Sequence, residues 1–327
     1  MQALSQFQTD LTQGSVFGQL LKFSVPFLLS NLLQALYNMA DMVIVGQFGG
    51  AVGASAVGIG GQVTILIINL ISGLAVGGTI MIAQFIGARR QQEVERTVGT
   101  MFTLYAIAGA AITVIMLLIN PWVLRLMQTP ADCYGEALAY LNICMGGTLF
   151  IVGYNAVSAV LRGMGDSRHP LIFVGVAAVV NIVLDLVFVG VFRMGAAGAA
   201  WATIAAQALS LTLSIVFLRR RDFVFDFHPR SFKMDKALAG QLVKLGIPAS
   251  LQGTLVSLSF MVLMTVANGV AGLTGSAALS IAGKVNSVAI LPSLAMQASV
   301  SSMAGQNIGA GKPERARKTM FVAMGMS

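Results

Sequence analysis

Helix-length apolar runs recur along nearly the whole chain and limit what it can fold into more than any other feature. They cover approximately residues 22–46, 54–82, 97–120, 135–160, 170–192, 196–218, 243–268 and 276–303, with a further apolar stub from 319. A transmembrane helix needs about 20 predominantly apolar residues, so each of the eight is long enough to cross a bilayer. Only 10% of the 327 residues are charged, against about 25% in a soluble domain, and the mean hydropathy is +0.82. The alternating polarity of membrane barrel strands does not occur. The expected fold class is an all-α polytopic membrane protein of about eight full spans plus the start of a ninth.

The loops sort by charge. ARRQQEVER, RGMGDSRHP, RRRDFVFDFHPRSFKMDK and GAGKPERARK are rich in Lys and Arg. QFGGAVG, NPWVLRLMQTPADC, FRMGA and NGVAGLTG hold only Arg125 and Arg193. The two sets alternate along the chain, as the two faces of a membrane would. The positive-inside rule puts the first set and the N-terminus in the cytoplasm. These loops account for the net charge of +8, so no nucleic-acid partner is expected. The opening MQALSQFQTDLTQGSVFGQL lacks the features of a signal peptide.

The sequence also repeats. At an offset of 222 residues, KFSVPFLLSNLLQALYNMADM falls on KLGIPASLQGTLVSLSFMVLM, and QFIGARRQQEVERT falls on QNIGAGKPERARKT. Residues 22–97 and 244–319 share 20 identities in 76 positions without a gap. Six spans precede the second copy, so both copies run in the same direction. A parallel repeat of this kind is a transporter signature, with the substrate site between two lobes. The expected organisation is a first lobe over 1–218, a linker over 219–240 and a second lobe over 241–327. Symmetry would require six spans in the second lobe, so an incomplete chain is expected, without vectorial transport of its own.

The spans hold very few acids. A carboxylate at a helix centre costs about 2.5–3.5 kcal/mol on insertion scales, yet Asp41 lies in the first run and Asp185 in the fifth, with Glu136 at the edge of the fourth. Counted from the outer ends of their spans, Asp41 and Asp185 differ in depth by about 3 Å. Asn181 is one turn from Asp185 on the same face, and Thr203 enters the sixth span at a similar depth. Four oxygen-bearing side chains thus share one level. Hard cations take such oxygens, and two close carboxylates also share a proton. A structural acid at Asp41, with Asn181 and Thr203 as ordinary packing residues, is the competing reading. At the 222 offset Asp41 falls on Leu263, so the ion chemistry is expected in the first lobe alone.

Around these residues lie Pro26, a candidate hinge that frees a backbone carbonyl, and the candidate substrate-lining groups Gln34, Tyr37, Asn38 and Asn155. Lys284 stands out as the one cation well inside a span, snorkelling or lining the central cavity. GQNIGAGKP at 305–313 has the wrong spacing for a phosphate loop, with Pro313 where Ser or Thr is needed. His169 and His228 are isolated, and no arrangement of nucleophile and base supports an enzyme.

The set P-x4-N-L-x-Q-x-L-Y-N-M-A-D-x-x-I-V-G at 26–46, Q-x-I-G-A at 84–88 and LRGMGDSRHP at 161–170 resembles the MATE (multidrug and toxic compound extrusion) family, its bacterial DinF-like and MepA-like branch most of all. The resemblance covers essentially the whole chain, with the final third of the family's length missing. It implies a secondary antiporter in the bacterial inner membrane, exporting cationic or amphipathic drugs in exchange for protons or sodium ions, with no other cofactor. It implies further that Asp41, Asn181, Asp185 and Thr203 form the cation site, with sodium or a proton as occupant. The alternatives are a lipid-linked oligosaccharide flippase, which should carry more cavity cations than Lys284, and a membrane fragment that transports nothing.

Overall fold

A chain inside a bilayer must satisfy its backbone N–H and C=O groups internally, and helices do so. The computed structural model describes residues 8–221 and 223–327; the side chains at 229, 260, 261, 264, 265, 267–285, 287 and 288 lie outside the described set, and Lys284 falls among them. The described residues contain no strand. The helices are α1 (Val16–Gly87), α2 (Gln91–Leu126), α3 (Ala131–Gly146), α4 (Thr148–Gly163), α5 (Arg168–Asp185), α6 (Gly195–Arg219), α7 (Lys236–Ala289), α8 (Leu291–Gly309) and α9 (Pro313–Met326). Helices α1, α2, α6 and α5 with its extension to Val191 are each long and apolar enough to cross a membrane. Their outward faces are apolar, as at Val114, Ile115 and Leu118 of α2.

Helix α1 has 72 residues, roughly 108 Å at 1.5 Å per residue, far more than one crossing of a 30 Å hydrocarbon layer. It folds back at Gly50, whose φ of 68° and ψ of −167° belong to a region open essentially only to glycine. The two arms carry the first and second expected spans, and the expected loop shrinks to this one residue.

Three other spans depart from expectation. The fourth, expected over 135–160, is α3 and α4 bent by 48°. The bend falls at Gly147, where a Cβ would lie 2.3 Å from Ile204 Cδ1, so α6 presses on the chain at that point. The fifth changes from α-helix to a π-helical stretch, Leu186–Val191, directly after Asp185. The eighth, expected over 276–303, is divided between α7 and α8. Pro292 stands in the first turn of α8; lacking an N–H, it starts a helix well and cannot continue one. At Pro26, by contrast, α1 keeps helical dihedrals, so the candidate hinge is unbroken in this conformation.

The loops rich in Lys and Arg gather at one end of the bundle and the Gly50 turn lies at the other. At the Gly50 end, Glu136 Oε2 accepts the N–H of Ala196 at 3.2 Å. The third intramembrane acid thus caps α6, where the helix dipole favours a negative charge. Small residues Ala196, Ala199, Ala200 and Ala202 are fully buried on α6 and let its neighbours approach closely.

At the basic end the two copies of the repeat meet at matching residues. A Cβ on Gly87 would lie 2.0 Å from the carbonyl oxygen of Gln306, and one on Gly309 would lie 1.9 Å from that of Gln84. These are the Q-x-I-G-A segments, crossing each other backbone to backbone. Two connecting strands, irregular stretches of chain and not β-strands, reinforce this end. Before α1, Leu11 N–H donates to Gln306 Oε1 at 2.9 Å, and Arg315 donates to the carbonyls of Gly14 and Gln13. Before α7, Phe225, Phe227 and Phe232 surround Phe102 of α2, while Asp235 pairs with Arg96 and caps α7 through the N–H groups of Ala237 and Leu238.

Candidate functional site: a buried carboxylate pair

Asp41 lies on the first arm of α1, 6% exposed, and Asp185 ends α5 fully buried. Thr203 of α6 donates its hydroxyl to Asp41 Oδ2 at 3.3 Å. Asn181, one turn before Asp185, donates its amide to Thr203 Oγ1 at 3.5 Å. Asp185 stands close enough to Asp41 for the two carboxyls to interact. The structure therefore brings together the four residues that shared a depth in the sequence, drawn from α1, α5 and α6.

The group is short of donors. Asp41 Oδ1, Asn181 Oδ1 and both oxygens of Asp185 are buried without a hydrogen-bond partner. Among the described residues, neither carboxylate makes an ion pair with Lys, Arg or His. Buried polar atoms are normally satisfied, and a buried charge without a partner is very costly. Four orphaned oxygens in one buried group fit a missing positive charge. A hard cation would accept them as ligands; a proton would turn one carboxyl into a donor to the other.

The remaining candidates divide. Tyr37 is buried one turn from Asp41, and its hydroxyl oxygen is met by the amides of Gln34 at 3.4 Å and Gln207 at 3.5 Å. Tyr37 and Gln34 are therefore connected to the carboxylate site. Asn38 is exposed on α1. Asn155 is half-buried, and its amide donates to the carbonyl of Ile151 in its own helix at 2.8 Å. The hydroxyl of Ser30 returns to the carbonyl of Pro26 at 2.9 Å, so a local bond supports α1 beside the proline.

Two residues escaped the sequence reading. Gln207 is buried four residues after Thr203, and that spacing on one helix face was the available signal. Arg162, expected in a loop, lies inside α4 with its guanidinium 5.2 Å from the centre of the Phe27 ring. Only its neighbour in space, one residue after Pro26, could have drawn attention to Arg162.

Buried acids inside a repeated helical bundle that meets lipid on its outer faces define a multi-pass membrane transporter. Comparison with known proteins gives the family. The MatE family model matches residues 26–187 and 248–327, two matches whose starts reproduce the 222-residue offset. The probable multidrug resistance protein YpnP of Bacillus subtilis is 33% identical over 308 residues, 94% of this chain and 68% of that protein. A MOP superfamily transporter from Pyrococcus furiosus, described as having a binding pocket of reversed polarity, superposes with a TM-score of 0.91 at 28% identity over 97% of this chain and 71% of that one. An outward-facing multidrug resistance MATE transporter gives a TM-score of 0.90 at the same identity and coverage. The chain belongs to the MatE family of multidrug efflux transporters, which are not enzymes.

Proposed function

We propose that the chain is the ion-binding part of a secondary antiporter that exports cationic or amphipathic organic compounds in exchange for protons or sodium ions held at Asp41, Asn181, Asp185 and Thr203. The four buried oxygens without donors support this reading most directly. A purely structural acid would have recruited donors, as Glu136 has done at the start of α6. In this reading residues 1–218 form the ion-binding lobe, 219–240 the linker and 241–327 the helices facing it. The basic end faces the cytoplasm of a bacterial inner-membrane protein.

Ion and drug communicate through α1. Asp41 and Tyr37 sit on one face of that helix, and Tyr37 in turn holds Gln34 and Gln207. Filling the site removes the repulsion between two carboxylates and lets α5 and α6 settle against α1. Pro26 gives the same helix a point at which to bend, so the ion biases one element between two forms.

Linkage makes this testable without measuring transport, because an ion that weakens drug binding must have its own binding weakened by the drug to the same extent. Binding of tetraphenylphosphonium, a lipophilic cation, is measured on the purified chain at acid and alkaline pH, in sodium and in choline chloride. The affinity falls when the coupling ion is supplied. Equal affinity under all four conditions would rule out antiport at this site.

A further inference from the structure

The strand that leads into α7 crosses α2 at Gly99, where a Cβ would lie 2.6 Å from the carbonyl oxygen of Ser231. Two hollows flank this crossing. On one side and further from the basic end is an apolar cavity of about 170 Å³ between α2, α4 and α6. Its walls include Phe102, Ala106, Gly153, Ala156, Leu211 and Phe232. On the other side, at the tip of α2, is a polar hollow of about 550 Å³ lined by Glu95, Arg96, Thr100, Arg230, Lys233 and Asp235, among others. Ser231 and Lys233 line the polar hollow while Phe232 between them lines the apolar one. Phe232 is 40% exposed, so the edge between the hollows is open.

The charges of the polar hollow do not cancel. Asp235 is engaged by Arg96 and by the N-terminus of α7. Its carboxyl lies below the usual range, chiefly because of the Leu238 N–H, with Ala237 and Arg96 adding to the effect. Arg230 and Lys233 meet no carboxylate among the described residues, and Glu95 stands exposed on the rim. Two free cations thus lie beside an apolar cavity that opens toward the lipid-facing surface at Leu149, which is 43% exposed.

We propose that this corner binds an anionic glycerophospholipid, with part of one acyl chain in the α2–α4–α6 cavity and its phosphate at Arg230 and Lys233. An apolar cavity receives an acyl chain without stranding any polar group, as the surrounding hydrocarbon does, and basic residues at a membrane surface select anionic headgroups. The bound lipid would hold the connecting strand against α2, because Phe232 and Lys233 contact both of its parts.

The test uses the full chain in detergent, titrated with phosphatidylglycerol, with phosphatidylcholine of the same acyl chains, and with inorganic phosphate. Bound lipid is counted by native mass spectrometry and thermal stabilisation is followed in parallel. Phosphatidylglycerol is expected to bind at least about tenfold more tightly than phosphatidylcholine, and phosphate alone should give no stabilisation. The double variant Arg230→Gln, Lys233→Gln removes the headgroup preference. Ala106→Phe, at an exposed position on the cavity wall, weakens binding of both lipids. Equal binding of the two lipids by the wild-type chain would overturn the proposal. So would stabilisation by phosphate alone, or lipid binding untouched in a folded Ala106→Phe variant.

Discussion

Leu263 stands in the second copy where Asp41 stands in the first, and their surroundings are opposite. Asp41 is 6% exposed, tucked between α5 and α6, whereas Leu263 is 54% exposed. Nearby pairs follow suit. Tyr37 reaches across to Gln207, while among the described residues its counterpart Ser259 bonds to Leu255 in its own helix. The Q-x-I-G-A segments behave in the opposite way, since they remain alike in both copies and touch each other. The repeat is thus retained where the copies must fit together and is free to diverge where one of them carries ion chemistry.

The largest effect should come from breaking the shared part. Gly87→Leu or Gly309→Leu drives a side chain into an opposing backbone carbonyl that cannot move aside. A clash with backbone exceeds the about 1–3 kcal/mol of ordinary overpacking, enough to disrupt the crossing, and both variants should lower the thermal midpoint in detergent by similar, large amounts. A large loss from one and none from the other would mean that the crossing is not a symmetric contact. Leu263→Asp comes next. It should cost about 2.5–3.5 kcal/mol if the position faces hydrocarbon, seen as reduced insertion, and it should create no second ion response. Sodium- or proton-dependent stabilisation gained by this variant would show that the second copy can host the chemistry after all. The smallest effect sharpens the contrast within the crossing. Gln306→Leu strands the buried N–H of Leu11, a loss of about 1–3 kcal/mol, whereas half-buried Gln84 makes no side-chain hydrogen bond among the described residues. Gln84→Leu should therefore be nearly neutral in the same melting assay, and equal losses would contradict this asymmetry.

The helical class, the repeat and the family were legible in the sequence because they rest on long patterns: apolar run length, loop charge and a 222-residue offset. The grouping of Asp41, Asn181, Asp185 and Thr203 was legible for a simpler reason, since helical rise converts residue number into depth. What depth could not give was rotation about each helix axis. Asn38 and Asn155 were both candidates for the cavity lining, yet one is exposed and the other bonds to its own helix. Bends were hidden as well. Gly147 turns because Ile204 from a distant helix lies against it, and the π-helical stretch after Asp185 has no mark in an apolar run. Such stretches recur at functional positions, and here one begins beside an acid that has no donor.

Tryptophan gives a way to follow the helix that carries Thr203, because half-exposed Trp201 stands on another face of α6 and reports on movement of that helix as the carboxylate pair is filled. The decisive measurement is the fluorescence of the purified chain, titrated with sodium at fixed pH and with acid at fixed sodium, in the wild type and in Asp41→Asn. The wild type should respond to one of the two ions, and Asp41→Asn should lose that response while keeping its helical content. An unchanged response in Asp41→Asn would show that Asp41 is a structural acid and that the ion is held elsewhere.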